Sequence, residues 1–251
     1  MATTLDLMNK VLRGIRQYGL LLEDGTTSTT DDYLLMILQF VNEAKEEIEE
    51  SGWAWQALRK TITVTLAAGT AEYDLTIAGA ADVDTNDRTR LLYENVSQGG
   101  ETFYTSSKAR PQVFDVTNSD EFRLREVTQE RMERLHFTDN DDQQEQISYF
   151  CWYSDGDSVR IKVWPTPSEA RTLKMRMYVP QVELADDSLT ATTLSIPARP
   201  VWTFALFKAN QERGDELGKD GSAAHRAYLD AHGAAVGKEM TPADQTVYLD
   251  R

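Results

Sequence analysis

Two hydrophobic periodicities divide this chain, and each keeps to its own stretch. From Tyr33 to Glu50, apolar residues recur every three to four positions, at Tyr33, Ile37, Val41, Ala44 and Ile48. That spacing lines them along one face of a helix. Beyond Trp53 the period drops to two, with Ile62, Val64 and Leu66 alternating against Thr61, Thr63 and Thr65. Alternation in β-branched residues is the mark of a half-buried strand. Helical spacing returns only after Ile196-Pro197. Helices and strands segregated in this way predict an α+β fold and argue against a doubly wound parallel sheet.

The boundaries carry matching local chemistry. Leu5, Met8, Leu12, Ile15 and Gly19 fall near one stripe of a short first helix, and the polar run 23–32 breaks it. Thr30, Asp31 and Asp32 can each accept a bond from the free N–H groups of the next helix, and Ser51-Gly52 ends that helix. Leu34, Leu38 and Phe40 widen its apolar face, while Glu43, Glu46, Glu47, Glu49 and Glu50 read as its wet side. Ala68-Gly69-Thr70 predicts a hairpin from the 61–66 strand into the run through Tyr73 and Leu75. Short strands over 90–96, 112–117 and 123–127, with turns at Gly99-Gly100 and Asn118-Ser119-Asp120, lead to a short helix over 128–135. A second hairpin pairs 147–153 with 158–164 through Asp155-Gly156 and stops at Trp164-Pro165-Thr166-Pro167, since proline offers no ladder donor. The last strand runs 172–179. Trp202, Phe204 and Leu206 make the helix after Pro197 apolar nearly all round, and a polar joint over 212–221 leads to a final helix over 222–236.

Composition narrows the class of protein. Hydrophobic residues make up 41% of 251, enough to bury a core, and no apolar run reaches the ~20 residues of a membrane span. The N-terminus lacks the basic-then-apolar pattern of a secretory signal. One cysteine, Cys151, excludes an internal disulfide. A net charge of −15 argues against a general phosphate-binding surface, which needs clustered Lys and Arg.

The search for chemistry returns no catalytic, cofactor or metal set. The phosphate-cradling glycine motifs and the G-x-S-x-G elbow are missing. Cys151 sits mid-strand and reads as a buried, inert thiol. His225 and His232 lie seven apart on one helix without a third zinc ligand at a suitable spacing, and His136 is isolated. Asp139-Asn140-Asp141-Asp142 opens like a calcium loop but lacks its glycine and its twelfth-position glutamate. Asp82, Asp84 and Asp87 belong to an acidic insertion over 79–90, and Arg213-Gly214-Asp215 falls in a helix-ending joint. Two features stay distinctive. Trp53 and Trp55 flank Ala54 where the long helix gives way to strand, either wedging a helix against a sheet or anchoring a partner. In the tail, Val247, Tyr248 and Leu249 can add a strand to a partner or remain unfolded.

In series, several segments resemble the head-to-tail adaptor proteins of tailed bacteriophages, the group of the tail tubular protein A type. They are Phe40-Val41-Asn42-Glu43-Ala44 with Glu47-Ile48, Trp53-Ala54-Trp55-Gln56-Ala57-Leu58, and Ala68-Gly69-Thr70 with Tyr73-Asp74-Leu75. Val163-Trp164-Pro165-Thr166-Pro167, Met177-Tyr178-Val179-Pro180 and Ile196-Pro197 complete the set, which spans residues 5 to 236. The resemblance implies a helical bundle from 1–55 and 197–237, an antiparallel sandwich or barrel-like domain over 56–196, and an extended tail over 238–251. It further implies a non-enzymatic virion neck protein without cofactor, assembled in the host cytoplasm. About twelve copies would form a ring between the portal protein and the tail or nozzle, with genomic DNA passing through the lumen unbound. An acidic lumen would repel DNA, and the C-terminal tail would reach the portal. Other neck or minor tail proteins are the alternative, followed by an acidic DNA mimic.

Overall fold

The computed structural model describes residues 2–75, 88–95, 109–117, 122–138, 146–155, 158–214 and 219–240. Several expected features lie outside them: the acidic insertion up to Asp87, the turns at Gly99-Gly100 and Asn118-Ser119-Asp120, the loop from Asp139, Gly156, and the tail with Val247, Tyr248 and Leu249. The chain divides into two compact units, Met1–Leu58 with Gln181–Arg251, and Arg59–Pro180. Among the described residues, five α-helices and mostly antiparallel sheets make the fold α+β, as the two periodicities predict.

In the first unit, α1 (Thr4–Gly14) opens with a capping box: Thr3 accepts from the Asp6 N–H while the Asp6 carboxylate accepts from the Thr3 N–H. These bonds hold the Asp6 carboxyl below its ordinary pKa, the backbone bond from Thr3 contributing most. The helix ends in a Schellman motif, with Arg16 N–H on the Arg13 carbonyl and Gln17 N–H on the Leu12 carbonyl. Arg16 takes the left-handed position at φ 61°, where glycine is the usual occupant. Asp31 caps α2 (Asp32–Glu50) by accepting from Tyr33 and Leu34. Pro197 precedes α4 (Ala198–Glu212), and α5 (Lys219–Glu239) is three residues longer at each end than the sequence pattern suggests. Helix α4 touches α1, α2 and α5, which is why it is apolar nearly all round.

Among its described residues the second unit holds eleven strands and α3 (Gln129–Thr138), a helix begun by Thr128, whose hydroxyl accepts from Arg131. One sheet joins β1 (Arg59–Leu66), β11 (Arg171–Tyr178), β6 (Val113–Asp115) and β7 (Phe122–Arg123), with β3 (Arg90–Leu91) also on β11. A second joins β2 (Glu72–Asp74), β10 (Ser158–Trp164), β9 (Tyr149–Asp155) and β8 (Arg125–Glu126), and β4 (Tyr93–Asn95) pairs with β5 (Ala109–Pro111). The β8–β9 pairing is parallel. Alternation along β11 buries Leu173, Met175 and Met177 while Lys174 and Arg176 face out. They join Val64, Leu66, Phe150, Ile161 and Val163 in one hydrophobic cluster fed by both large sheets.

The expected hairpin between 61–66 and 73–75 does not form. Strand β1 pairs along its whole length with β11, and β2 pairs with β10, so the turn at Ala67–Thr70 carries the chain from one sheet to the other. Gly69 turns at φ 75°. The Tyr73 hydroxyl closes the turn by donating to the Ala67 and Thr70 carbonyls, at 2.7 and 2.6 Å. A turn dipeptide fixes a reversal of direction, but not which strand lies next to it. The hairpin of β9 and β10 forms in the expected register, with Asp155 opposite Ser158.

Candidate interaction surface

Gln181, where the chain re-enters the first unit, meets a buried ion pair on α2. Lys45 and Glu49 have no solvent exposure at their side chains and lie 3.4 Å apart. The Gln181 N–H donates to Glu49 at 3.2 Å, and its carbonyl accepts from Lys45. The Gln181 side chain then donates to the Thr193 carbonyl and accepts from the Ser195 N–H, both at 2.8 Å. Glu49 is thus not part of the wet face to which the sequence reading assigned it. The missed signal is Lys45, which falls between Val41 and Ile48 on the apolar stripe.

Two asparagines perform a second kind of fixing. Asn42 donates to the Leu184 carbonyl at 3.0 Å and accepts from the Leu184 N–H at 2.9 Å, so one side-chain amide satisfies both backbone groups of one residue. Asn9 does the same to Leu22, with both bonds at 2.9 Å. Each clips an extended stretch of chain to a helix. Beside Asn42, Glu43 accepts from Lys208 of α4 at 2.7 Å, and this bond lowers the Glu43 carboxyl below its usual range.

The two tryptophans singled out in the sequence are spent differently. Trp55 is fully buried; its indole N–H donates to the Ile48 carbonyl at 2.9 Å, and its ring meets His232 edge-on at 5.8 Å. Both of these contacts are with helices, Ile48 on α2 and His232 on α5. Trp53 is half-buried and donates to Glu239 at 3.2 Å, and the same carboxylate accepts from the Gln56 N–H at 3.0 Å. The end of α5 is therefore tied to the segment that leaves α2.

Rings line the seam between α4 and α5. Tyr228 contacts Phe204, His225 and His232. His232 also lies 3.1 Å from the Ser51 hydroxyl, and burial lowers its pKa below the ordinary value. Burial raises the Tyr228 hydroxyl in turn. In the second unit Glu72 joins Arg160 at 2.9 Å and the Tyr153 hydroxyl; burial and this hydrogen bond push Tyr153 up to about 12. Among the described residues, no group of three or more His, Cys, Asp or Glu is placed to hold a metal ion, and no helix is long and apolar enough to cross a membrane.

Two grooves of opposite character open on the first unit, each of about 510 Å³. One, between α2 and the segment at 183–186, has Leu35 and Leu38 with Glu43, Glu46, Glu183 and Asp186, and the charged groups among its described lining residues are carboxylates. The other lies among the end of α1, α4 and the start of α5; the charged groups among its described lining residues are Arg16 and Arg213.

Replacing Lys45 with Met leaves Glu49 buried without its counter-charge, and we expect a loss of about 3–5 kcal/mol in urea unfolding. The double variant Lys45→Met/Glu49→Leu should recover only part of this, because both polar groups of the Gln181 peptide then lack side-chain partners, at ~1–3 kcal/mol each. Full recovery would deny that the pair serves Gln181. Protonation of His232 is disfavoured in the folded state, so the unfolded chain takes up the proton first and stability falls as pH drops below 6.5, the ordinary value. Thermal melts at pH 7.0 and 5.5 should show that drop, and His232→Phe should reduce it.

A family model described as SU10 adaptor protein matches residues 2–247. No curated protein matches the chain.

Proposed function

Because the chain belongs to the SU10 adaptor protein family, a family of phage adaptors, we propose that it is a non-enzymatic structural component of the virion neck. In this reading about twelve copies form a ring that joins the portal to the tail and lines the channel by which DNA leaves the head. The four helices of the first unit act as its bundle, and the two large sheets of the second as a sandwich. The family match over nearly the whole chain carries the proposal.

The placement of the motif residues supports it. Asn42 and Glu43 hold α2 to Leu184 and to Lys208, and Trp55 and Leu58 are buried. Tyr73 closes its turn, and the Gly69 N–H donates to the Pro167 carbonyl at 2.8 Å. The residues that carry the resemblance are thus spent on holding backbone in place. A ring needs such a body: each copy must present two unlike surfaces at a fixed geometry, or the heterologous contacts do not close.

Sizing of the purified protein by light scattering, alone and with its portal, tests the assignment directly. A complex containing both, seen in electron micrographs as rings stacked on portal rings, is the expected result; persistent separation of the two proteins would sink it. Acidity adds a mechanical role. Duplex DNA carries one negative charge per ~1.7 Å of axis, so channel-facing carboxylates within a Debye length of about 8 Å keep it from adhering. Reversing those charges should slow DNA ejection, and unchanged ejection kinetics would remove this role while leaving the adaptor intact.

A further inference from the structure

Strand β1 ends one of the two large sheets, and among the described strands β11 alone pairs with it, from Arg59 opposite Tyr178 to Leu66 opposite Arg171. In an antiparallel ladder, residues alternate between exchanging bonds with the neighbouring strand and turning them away from it. The bonds on the far side of β11 show which residues do which. The Arg176 N–H donates to the Gln112 carbonyl, the Arg176 carbonyl accepts from the Leu92 N–H, and the Thr172 carbonyl accepts from the Val116 N–H. Arg176, Lys174 and Thr172 are therefore turned away from β1, and their opposites Thr61, Thr63 and Thr65 are turned away from β11. The N–H and carbonyl groups of these three threonines point to the outer edge, and among the described residues none of them has a hydrogen-bond partner there.

Sheet edges are ordinarily guarded by short strands, bulges, prolines or charged side chains, because a bare edge pairs with other strands. The remaining end strands of the two large sheets, β2, β7 and β8, are guarded by being two or three residues long. Beyond Lys60, β1 has no such guard. Its pairing with β11 skips no residue, and 61–66 reads Thr-Ile-Thr-Val-Thr-Leu, mostly β-branched and without proline or charge. Thr61, Thr63 and Thr65 are exposed on one side of the sheet, while Ile62, Val64 and Leu66 are buried on the other.

The strand that fits this edge is another copy of it. The other end strands are too short to cover it, and its own pattern is self-complementary. Turned antiparallel about a two-fold axis at Thr63, two such strands set Thr63 opposite Thr63 and Thr61 opposite Thr65, and each pair exchanges two backbone bonds. Threonine then meets threonine on the exposed side, a favourable cross-strand pair, and Ile62 meets Val64 on the apolar side. The antiparallel sense also keeps like charges apart. Arg59 and Lys60 fall opposite Ala67 and Leu66 of the second copy, whereas parallel strands in register would set each against its own kind. We propose that the free protein pairs through the β1 edge, two copies joining antiparallel about Thr63. One strand pair buries little area, so the dimer forms only at high concentration. This isologous contact stands apart from the heterologous contacts of the ring reading.

Sedimentation velocity of the full chain without portal, at about 5 and about 500 μM, tests it: monomer is expected at the lower concentration and dimer at the higher. Thr63→Pro removes an outward N–H and no bond to β11, and Thr63→Lys, at an exposed site, sets two like charges face to face. Each should weaken the dimer about tenfold or more, with thermal melts of the monomer checking that the fold survives. An equal mixture of Thr63→Lys and Thr63→Glu proteins should restore it. A chain that stays monomeric throughout, a dimer undiminished in both variants, or a mixture that does not recover would overturn the proposal. So would closed rings in place of dimers, a result that supports the ring reading instead. Portal binding is scored separately, so failure of one reading leaves the other measurable.

Discussion

The first unit depends on a single buried exchange between Lys45, Glu49 and Gln181. A charge taken out of water is tolerated only where a counter-charge and hydrogen bonds replace its hydration. Here the replacement includes backbone: the N–H and the carbonyl of one residue, Gln181, engage both members of the pair. The ion pair therefore does more than neutralise itself. It selects the point at which the chain, arriving from Pro180, lies down on α2, and the Gln181 side chain passes that selection on to Thr193 and Ser195. Downstream, the Leu194 N–H donates to the Ala2 carbonyl and the Leu5 N–H to the Leu189 carbonyl, so the segment before α4 is woven against the start of α1. An apolar pair could fill the same volume. It could not say which peptide belongs there.

The residues behind the family resemblance share this character. Asn42, Glu43, Trp55, Gly69 and Tyr73 all engage main chain, a helix neighbour or a turn. Such residues tolerate few replacements because each satisfies a specific donor or acceptor, and leaving that group buried and unpaired costs about 1–3 kcal/mol. That is a physical reason why short, scattered matches can outlast divergence elsewhere in a family whose members must keep a shape.

Much of the architecture was legible because periodicity reports burial directly. The α2 stripe, its Asp31 cap, the alternation of β11 and the β9–β10 hairpin all follow from side chains within a few residues of one another. What the sequence did not convey is pairing at a distance. The partner of β1 is β11, more than a hundred residues away, and the local turn at Gly69 pointed instead to β2. Glu49 was misplaced for a related reason: a glutamate in a glutamate-rich run looks wet until Lys45 and Gln181 are brought to it. Of the candidate site, Trp53 and Trp55 were visible as unusual, but the asparagine clips and the basic groove were not. Nothing in a lone Asn or Arg distinguishes a clip from ordinary surface.

The two grooves then bear on how a ring can be built from this unit. Both are concave, and among the described lining residues the charged groups are carboxylates in one and guanidiniums in the other. Complementary charge by itself would pair them, yet two hollows cannot fill each other, and an interface needs apolar contact packed to the density of an interior. Each groove therefore requires a convex occupant, a segment of chain. In the proposed heterologous ring the two faces of a copy must differ, and two grooves unlike in their described lining are one such difference.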